Sequence, residues 1–302
     1  ERAIADVLKE KLTALGLTVT EDKAGEVLGG NTGNLYAQLP GSTDGEPVLF
    51  SAHMDRVGNH GHIVPLVKEE EGKIVSDGTS ILAGDDIGGV AAILAMLREV
   101  KEKQIPHGPI EVAFSVCEET GVEGSRQYDF SKFRSKSAFV YDASGKAGTI
   151  VLAAPSKGRV TIRVHGVTAH AGNEPEKGLN ALKVAADLIM QLPDGLLSPV
   201  STANFSIIEA GSATNVVCDL VTITGEQRSR DAKEYQQISA DIQAAADRIS
   251  EKYHTKIEVE LHTLYHAFKL EETARPCVLA KEAAEAACAV PFFKEGGGGG
   301  DA

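Results

Sequence analysis

The sequence has little cysteine, and its cysteines do not form the CxxC pairs that bind zinc or make redox centres. Cys117, Cys218, Cys277 and Cys288 are spread over a chain of 302 residues. So sparse a set excludes a disulfide framework and favours reduced, mostly buried thiols. On this ground we expect a cytoplasmic protein.

Long hydrophobic runs and an excess of positive charge are also missing. The longest uninterrupted apolar run, residues 90–97, is too short to cross a bilayer, which takes about 20 residues. Acidic residues outnumber basic ones by 43 to 30, which gives a formal net charge of −13. Because acidic surfaces repel phosphate groups, we expect no nucleic-acid partner and no membrane partner.

What is present in the first half of the chain is the pattern of an α/β domain. Apolar residues at helical spacing predict helices over residues 4–15 and 87–103. Short apolar runs predict strands over residues 17–20, 34–39, 47–52, 110–117 and 138–141. Continuous apolar strands that alternate with helices are typical of a sheet with parallel strands.

Residues 156–266 follow another pattern, β-α-β-β-α-β, which is typical of a ferredoxin-like α+β domain. Beyond this segment the chain returns to a predicted helix over residues 273–288 and a short strand over 291–294. We therefore predict a discontinuous α/β domain, residues 1–155 and 267–302, with the α+β domain inserted in it.

Acidic residues and one histidine stand where predicted strands end or a helix begins. His53 and Asp55 follow the strand at 47–52, Asp85 opens the second helix, and Glu119 and Asp142 follow later strands. Taken singly, an aspartate at a helix start is as often a plain cap. Because ligands of open α/β sheets bind outside the carboxyl ends of strands, we expect these side chains to converge.

The converging side chains form a mixed nitrogen and oxygen ligand set: His53, Asp85, Glu119 and Asp142. Such a set suits zinc, with cobalt or manganese as substitutes. One carboxylate can bridge two ions about 3.5–4 Å apart, as in aminopeptidases. Glu118 remains beside the set as a further carboxylate.

Four motifs resemble, in order and spacing, those of the co-catalytic zinc exopeptidase family: His53-Met54-Asp55, Gly84-Asp85-Asp86, Glu118-Glu119 and Tyr141-Asp142. Residues 166–172 resemble the family's lid histidine motif, and residues 213–217 and 225–229 its substrate-facing segments. Asp85-Asp86 followed by Gly88-Gly89 resembles the corresponding motif of the peptidase T branch. The resemblance implies a phosphorylase/hydrolase-like mixed-sheet catalytic domain with an inserted lid or dimerisation domain.

The resemblance also implies how two zinc ions are held. His53 and Asp142 would bind one ion, Asp85 would bridge the two, and Glu119 would bind the second. The family's remaining ligand, a histidine, is expected beyond Ala302. Ile87 stands where many relatives carry lysine, which is a departure from the family pattern.

Catalytic and substrate-binding roles follow from the same resemblance. Asp55 would orient the ligand histidine, and Glu118 would be the general base that takes a proton from the attacking water. His170 would donate a hydrogen bond to the developing oxyanion. Asn215 and Arg228 would hold the carboxylate of the substrate, the arginine through a bidentate fork.

The function implied is a metallo-exopeptidase, a hydrolase that removes the N-terminal residue of short peptides in the manner of an aminotripeptidase. A carboxypeptidase or an N-acyl-amino-acid deacylase is the alternative within the family. The resemblance also implies that the protein forms a homodimer through the inserted domain. From another class, a non-catalytic protein could bind a nucleotide through residues 296–300, although no Gly-Lys-Ser/Thr follows them. His60 and His62 are expected to be solvated.

Overall fold

A computed structural model describes residues 1–58 and 61–301, which form two compact units. The first comprises Glu1–Ile150, Glu271–Phe293 and residues 300–301, and the second comprises Val151–Leu270 and Lys294–Gly299. Within these described ranges no helix has the length and apolar character needed to cross a membrane. His62 is exposed as expected, whereas His60 lies outside the described residues.

The first unit begins with a helix, and a short strand is its last element before the second unit. Its elements are, in chain order, α1 (Arg2–Ala14), β1 (Thr18–Glu21), α2 (Ala24–Leu28), β2 (Leu35–Leu39), β3 (Val48–His53), β4 (Pro65–Lys68), β5 (Lys73–Ser76), α3 (Gly84–Glu102), β6 (Ile110–Ser115) and β7 (Ser137–Val140). Each element expected from the apolar pattern in this part of the chain is present. The pair β4 and β5 forms a hairpin whose tip is exposed.

The remaining elements belong to the second unit and to the return of the chain. They are β8 (Thr149–Ala154), β9 (Ser156–His165), α4 (Ala181–Ile189), β10 (Gly195–Ser198), β11 (Ser201–Ala210), β12 (Leu220–Ser229), α5 (Ala232–Tyr253), β13 (Ile257–Tyr265), β14 (Phe268–Lys269), α6 (Arg275–Ala286) and β15 (Phe292–Glu295). A small sheet has the order β14-β8-β15.

The main sheet of the first unit is mixed, with the order β1-β2-β6-β3-β7. Strand β3 pairs in parallel with both β6 and β7, while β1 with β2 and β2 with β6 are antiparallel. The register sets His53 opposite Ser115 and Ser51 opposite Val140. The carboxyl ends of three strands therefore meet at one edge, which is the arrangement that the sequence predicts.

The second unit contains an antiparallel sheet of order β10-β11-β12-β9-β13. Without β10, the last predicted strand lies beside the first, the first beside the third, and the third beside the second. This is the order of a ferredoxin-like domain, so the prediction of that fold is confirmed. Strand β10 is an additional edge strand that the sequence pattern did not indicate.

Each unit has an apolar core of its own. On α1 the side chains of Ala5, Leu8 and Leu12 are buried at helical spacing, and Gly16, at a φ of +98°, ends the helical segment in the left-handed region. In the second unit, Ile242 and Ile249 of α5 are buried with the strands of the sheet. Burial of these apolar faces positions the sheets and hence the strand ends.

A buried carboxylate on β6 fastens the segment before β7. Glu111 is 2% exposed and accepts hydrogen bonds from the Tyr36 hydroxyl (2.6 Å), from the Ser135 amide (2.9 Å) and hydroxyl (2.5 Å), and from the Arg134 amide (3.0 Å). Burial by itself raises the pKa of Glu111, but these bonds outweigh it and lower that pKa below its ordinary value.

Replacing Glu111 by Gln is expected to lower the free energy of unfolding by about 1.5–3 kcal/mol near neutral pH, because an amide cannot accept all of these bonds. The folded-state pKa is depressed, so the carboxylate's contribution is complete above the unfolded-state pKa of about 4.3 and is lost as the pH falls towards the folded-state pKa. Urea unfolding near neutral pH and at about pH 3 measures this difference.

The exposed Glu102 at the end of α3 provides a matched control. The Glu102→Gln variant should unfold like the unmodified protein at both pH values. A difference between the Glu111→Gln variant and the unmodified protein that stays equally large in acid would contradict this account.

Candidate metal centre

His53 is the last residue of β3, and its side chain is 1% exposed. Its Nε2 atom lies 3.0 Å from Oδ1 of Asp85 and 3.9 Å from Oδ1 of Asp142. Burial alone lowers the pKa of His53, but the neighbouring carboxylates, Asp55 first among them, raise it to about 10. The structure thus brings the predicted histidine against two of its predicted companion ligands.

Asp55 has two sets of partners. One carboxylate oxygen lies 3.3 Å from Nδ1 of His53, and the backbone oxygen of Asp55 lies 3.1 Å from the same nitrogen. The two carboxylate oxygens also accept the amide hydrogens of Glu118 and Glu119, each at 3.0 Å. Burial raises the pKa of Asp55, yet the bonds from His53 and the amides lower it overall. Asp55 therefore joins the end of β3 to the segment after β6.

Two overlapping groups of side chains, which share His53, have ligand atoms close enough to bind a metal ion. The donor atoms of His53, Asp85 and Glu119 all lie within 4.8 Å of one another, and so do those of His53, Asp86 and Asp142. All four residues predicted as ligands are among these five. They come from β3, from the start of α3 and from the segments after β6 and β7.

Asp86 is a member of this cluster to which the sequence analysis gave no role. It is 3% exposed, and its oxygens accept the backbone amides of His53 (3.3 Å) and Gly89 (3.1 Å). Asp85, by contrast, has a side chain that is 69% exposed. The pair Asp85-Asp86 was the available signal, but spacing alone does not show which of two adjacent carboxylates faces the protein.

The electrostatics of the cluster fit a divalent cation. Burial raises the pKa of Asp86 and of Glu118 to about 7, and burial followed by the nearby Glu118 raises that of Asp142. Carboxylates crowded together away from water lose their charge unless a cation compensates for it. An imidazole nitrogen with several carboxylate oxygens is a ligand set that zinc accepts. The residues present therefore fit a metal ion.

Asp301 is a further carboxylate that the sequence analysis missed. It accepts a hydrogen bond from the hydroxyl of Ser115, the residue that ends β6. Burial raises the pKa of Asp301, although hydrogen bonds from Ser115 and Ser125 and the charge of His53 act in the opposite direction. No spacing rule points to it, because it is 186 positions from Ser115 in the sequence.

The three residues predicted to bind substrate lie in the second unit. His170 pairs with Val216 in a short antiparallel bridge, and the Ala171 amide donates to the backbone oxygen of Asn215 at 2.9 Å, so His170 and Asn215 lie on adjacent segments. Nδ1 of His170 accepts the amides of residues 172 and 173, each at 3.2 Å. A neutral ring with this acceptor carries its proton on Nε2.

Arg228, on β12, forms an ion pair with Glu226 through Nε at 2.6 Å, and its Nη1 donates to the backbone oxygen of Gly297 at 3.3 Å. Asp231, three residues further along the chain, accepts backbone amides at the start of α5. Burial lowers the pKa of Arg228, but the bond to Glu226 raises it overall.

Two family models match the chain: Peptidase family M28 over residues 34–172, and the Peptidase dimerisation domain over residues 155–254. The uncharacterized protein YqjE of Bacillus subtilis (strain 168) is 35% identical over 302 residues, which are 100% of this chain and 81% of that protein. Peptidase T of Vibrio cholerae O395 is 27% identical, over 100% of this chain and 80% of its own length.

Among the crystal structures that are similar over nearly the whole chain are an aminopeptidase and a tripeptidase. Aminopeptidase PepT from Bacillus cereus ATCC 10987 is 38% identical with a TM-score of 0.86, over 99% of this chain and 80% of that one. A tripeptidase from Staphylococcus aureus subsp. aureus Mu50 is 33% identical with a TM-score of 0.92, over 100% of this chain and 80% of that one.

Proposed function

Since this chain belongs to the peptidase T branch of the co-catalytic zinc exopeptidases and is a peptidase, we propose that it removes the N-terminal residue from short peptides, as an aminotripeptidase does. The observation that carries the proposal is the convergence of His53 with carboxylates at the carboxyl ends of parallel strands. The proteins named aminopeptidase PepT and tripeptidase support this choice over a carboxypeptidase or a deacylase.

The site would hold two zinc ions, with cobalt or manganese as substitutes. His53 and Asp142 would bind one, Glu119 the other, and Asp85 would bridge them. The contacts of His53 with Asp85 and Asp142 and the grouping of His53, Asp85 and Glu119 support this assignment. When bound, the ions would polarise the scissile carbonyl and acidify the attacking water.

The side chains of the protein would handle the proton and the geometry. Glu118 would take the proton of the attacking water and pass it to the leaving amine. Asp55 would fix the orientation of His53 through Nδ1, as its position 3.3 Å away supports.

Residues of the second unit would bind the substrate. His170 has its Nδ1 occupied as an acceptor, which leaves Nε2–H free to donate to the oxyanion. Asn215 and Arg228 would hold the peptide carboxylate. The Nε edge of Arg228 is already used by Glu226, so the fork offered to substrate would be the one formed by Nη1 and Nη2.

The test uses a tripeptide with a free amino group, and the same tripeptide with an acetylated amino group as its matched control. The full-length protein should release the N-terminal residue only from the free peptide, lose this activity on chelation, and regain it with zinc or cobalt. Equal cleavage of the acetylated peptide would contradict the aminopeptidase proposal, and turnover that survives complete metal removal would contradict the metal mechanism.

We extend the proposal to a homodimer formed through the inserted domain, supported by the match to the Peptidase dimerisation domain. The catalytic domain limits of 1–155 and 267–302, the inserted domain limits of 156–266 and the cytoplasmic location remain predictions from the sequence.

A further inference from the structure

The two glutamates after β6 lie on a short strained segment, residues 117–123, which we call the carboxylate loop. Cys117 and Val122 have φ values of +53° and +62°, in the left-handed region that side chains other than glycine rarely adopt. For a β-branched residue such as Val122 this conformation is particularly unfavourable. Such strain persists only where the surroundings enforce it, and it concentrates at functional sites.

Hydrogen bonds within the carboxylate loop hold part of its strained backbone in place. The amides of residues 121 and 122 donate to the backbone oxygen of Glu118 at 2.9 and 2.8 Å, and the Glu123 amide donates to the oxygen of Cys117 at 3.1 Å. Asp55 holds the middle of the loop through the Glu118 and Glu119 amides. These contacts shape the turn, but they do not fix its two ends to the sheet.

One side chain, that of Asn34, fixes both ends of the carboxylate loop to the sheet. Asn34, which immediately precedes β2 and is 1% exposed, accepts the Val116 amide with Oδ1 at 2.9 Å and donates through Nδ2 to the oxygen of Gly124 at 2.8 Å. Nδ2 also donates to Asp22 at 2.7 Å. Because Oδ1 faces an N–H group and Nδ2 faces two oxygens, only one orientation of this amide satisfies its surroundings.

The two ends of the loop also touch each other. A Cβ placed on Gly124 would lie 1.7 Å from the backbone oxygen of Val116 and 3.0 Å from Oδ1 of Asn34. Closing the loop this tightly needs a residue without a side chain at 124 and, at 34, a group that both donates and accepts. A carboxylate cannot donate, and a serine is too short to span both ends.

We propose that Asn34 is a positioning residue for the peptidase reaction, which by joining Val116 to Gly124 holds the strained carboxylate loop so that Glu118 and Glu119 face the metal site. The inference rests on the proposed function for the roles of the two glutamates. Asn34 does not touch the reacting atoms. Asn34 acts by determining the positions of Glu118 and Glu119, and small displacements of catalytic groups lower the reaction rate strongly.

The decisive variant is Asn34→Asp, which keeps the acceptor for Val116 but loses both donated bonds. We expect kcat to fall about 10- to 100-fold with a smaller change in KM, as for other residues that orient metal ligands without binding the metal themselves. By hydrogen exchange and mass spectrometry, the Glu118 and Glu119 amides should exchange roughly tenfold faster or more, while the strands of the second unit stay unchanged.

Asn34→Asp puts a second carboxylate beside Asp22, and their repulsion would destabilise the fold. A double variant therefore separates the effect on the loop from the effect on stability. Asp22→Asn with Asn34→Asp restores a donor–acceptor pair between positions 22 and 34 but leaves Gly124 without its donor. Thermal stability should therefore recover while fast loop exchange and low kcat remain. Tyr36→Phe, which removes a hydrogen bond from β2 to the buried Glu111, is the matched control and should leave loop exchange and kcat unchanged.

The exchange measurement separates this proposal from the proposed function. If the unmodified protein cleaves no peptide, the proposed function fails, and loop exchange alone still decides whether Asn34 holds the loop. Protected Glu118 and Glu119 amides in the double variant would overturn the proposal, and so would kcat within about threefold of the unmodified protein despite a loosened loop. Recovery of kcat together with stability would show that Asn34 acts on folding alone.

Discussion

Replacing Glu118 by Gln is expected to lower kcat about 100- to 10,000-fold, because an amide cannot take up the proton of the attacking water. The substitution keeps the size of the side chain and leaves its backbone amide bound to Asp55. The proposed ligands are untouched, so metal content and KM should change little. Steady-state kinetics on a tripeptide, together with metal analysis of the same sample, measures both quantities.

The matched control is Glu70→Gln at the exposed tip of the β4–β5 hairpin, which removes the same charge far along the chain. Its kcat should equal that of the unmodified protein. If Glu118→Gln retains kcat within about tenfold while binding metal normally, another group takes the proton and the assignment of Glu118 as the base is wrong.

Replacing Asp55 by Asn should lower kcat/KM by about 100- to 10,000-fold, through two effects of one substitution. An amide nitrogen would face either Nδ1 of His53, which changes the tautomer of the ligand, or one of the two glutamate amides, where two donors would meet. Both the metal ligand and the carboxylate loop would be displaced. Kinetics and a zinc-binding titration measure the loss, and we expect weaker zinc binding as well.

Asp129→Asn is the control for charge and size, because Asp129 is an exposed residue that caps a single turn. That variant should behave as the unmodified protein in both measurements. Normal zinc affinity with normal kcat/KM in Asp55→Asn would show that neither contact of Asp55 matters for the reaction.

Much of the site could be predicted because the fold places strand ends together. Runs of apolar residues identified β3, β6 and β7, and polar residues directly after them marked one edge of the sheet. His53, Glu119 and Asp142 were identified in this way, and Asp85 was identified at the start of a predicted helix. The structure places all four in two groups of ligand atoms that share His53. Local pattern and strand order were sufficient to predict that these side chains lie close together.

Residues that act through distant partners could not be predicted in this way. Asn34 has partners 82 and 90 positions away, at Val116 and Gly124, and an asparagine before a strand is typical of any turn. Asp85 and Asp86 are equivalent in the sequence pattern, and only the structure shows that Asp86 is buried and Asp85 exposed. Strand β10 was missed because its four residues carry no alternating pattern long enough to distinguish them from a loop.

The position of β3 between two parallel neighbours determines how the site responds to emptying and refilling. The backbone of His53 pairs with Ser115 on β6, and the preceding residues of the same strand also pair with β7. The backbone of His53 can therefore move away only when the centre of the sheet opens, which is among the rarest fluctuations of a folded protein. The side chain of Asp85, by contrast, is 69% exposed at the start of α3. We therefore expect ions to enter and leave past the exposed aspartate while the backbone of the histidine stays in place, so that exchange proceeds without refolding.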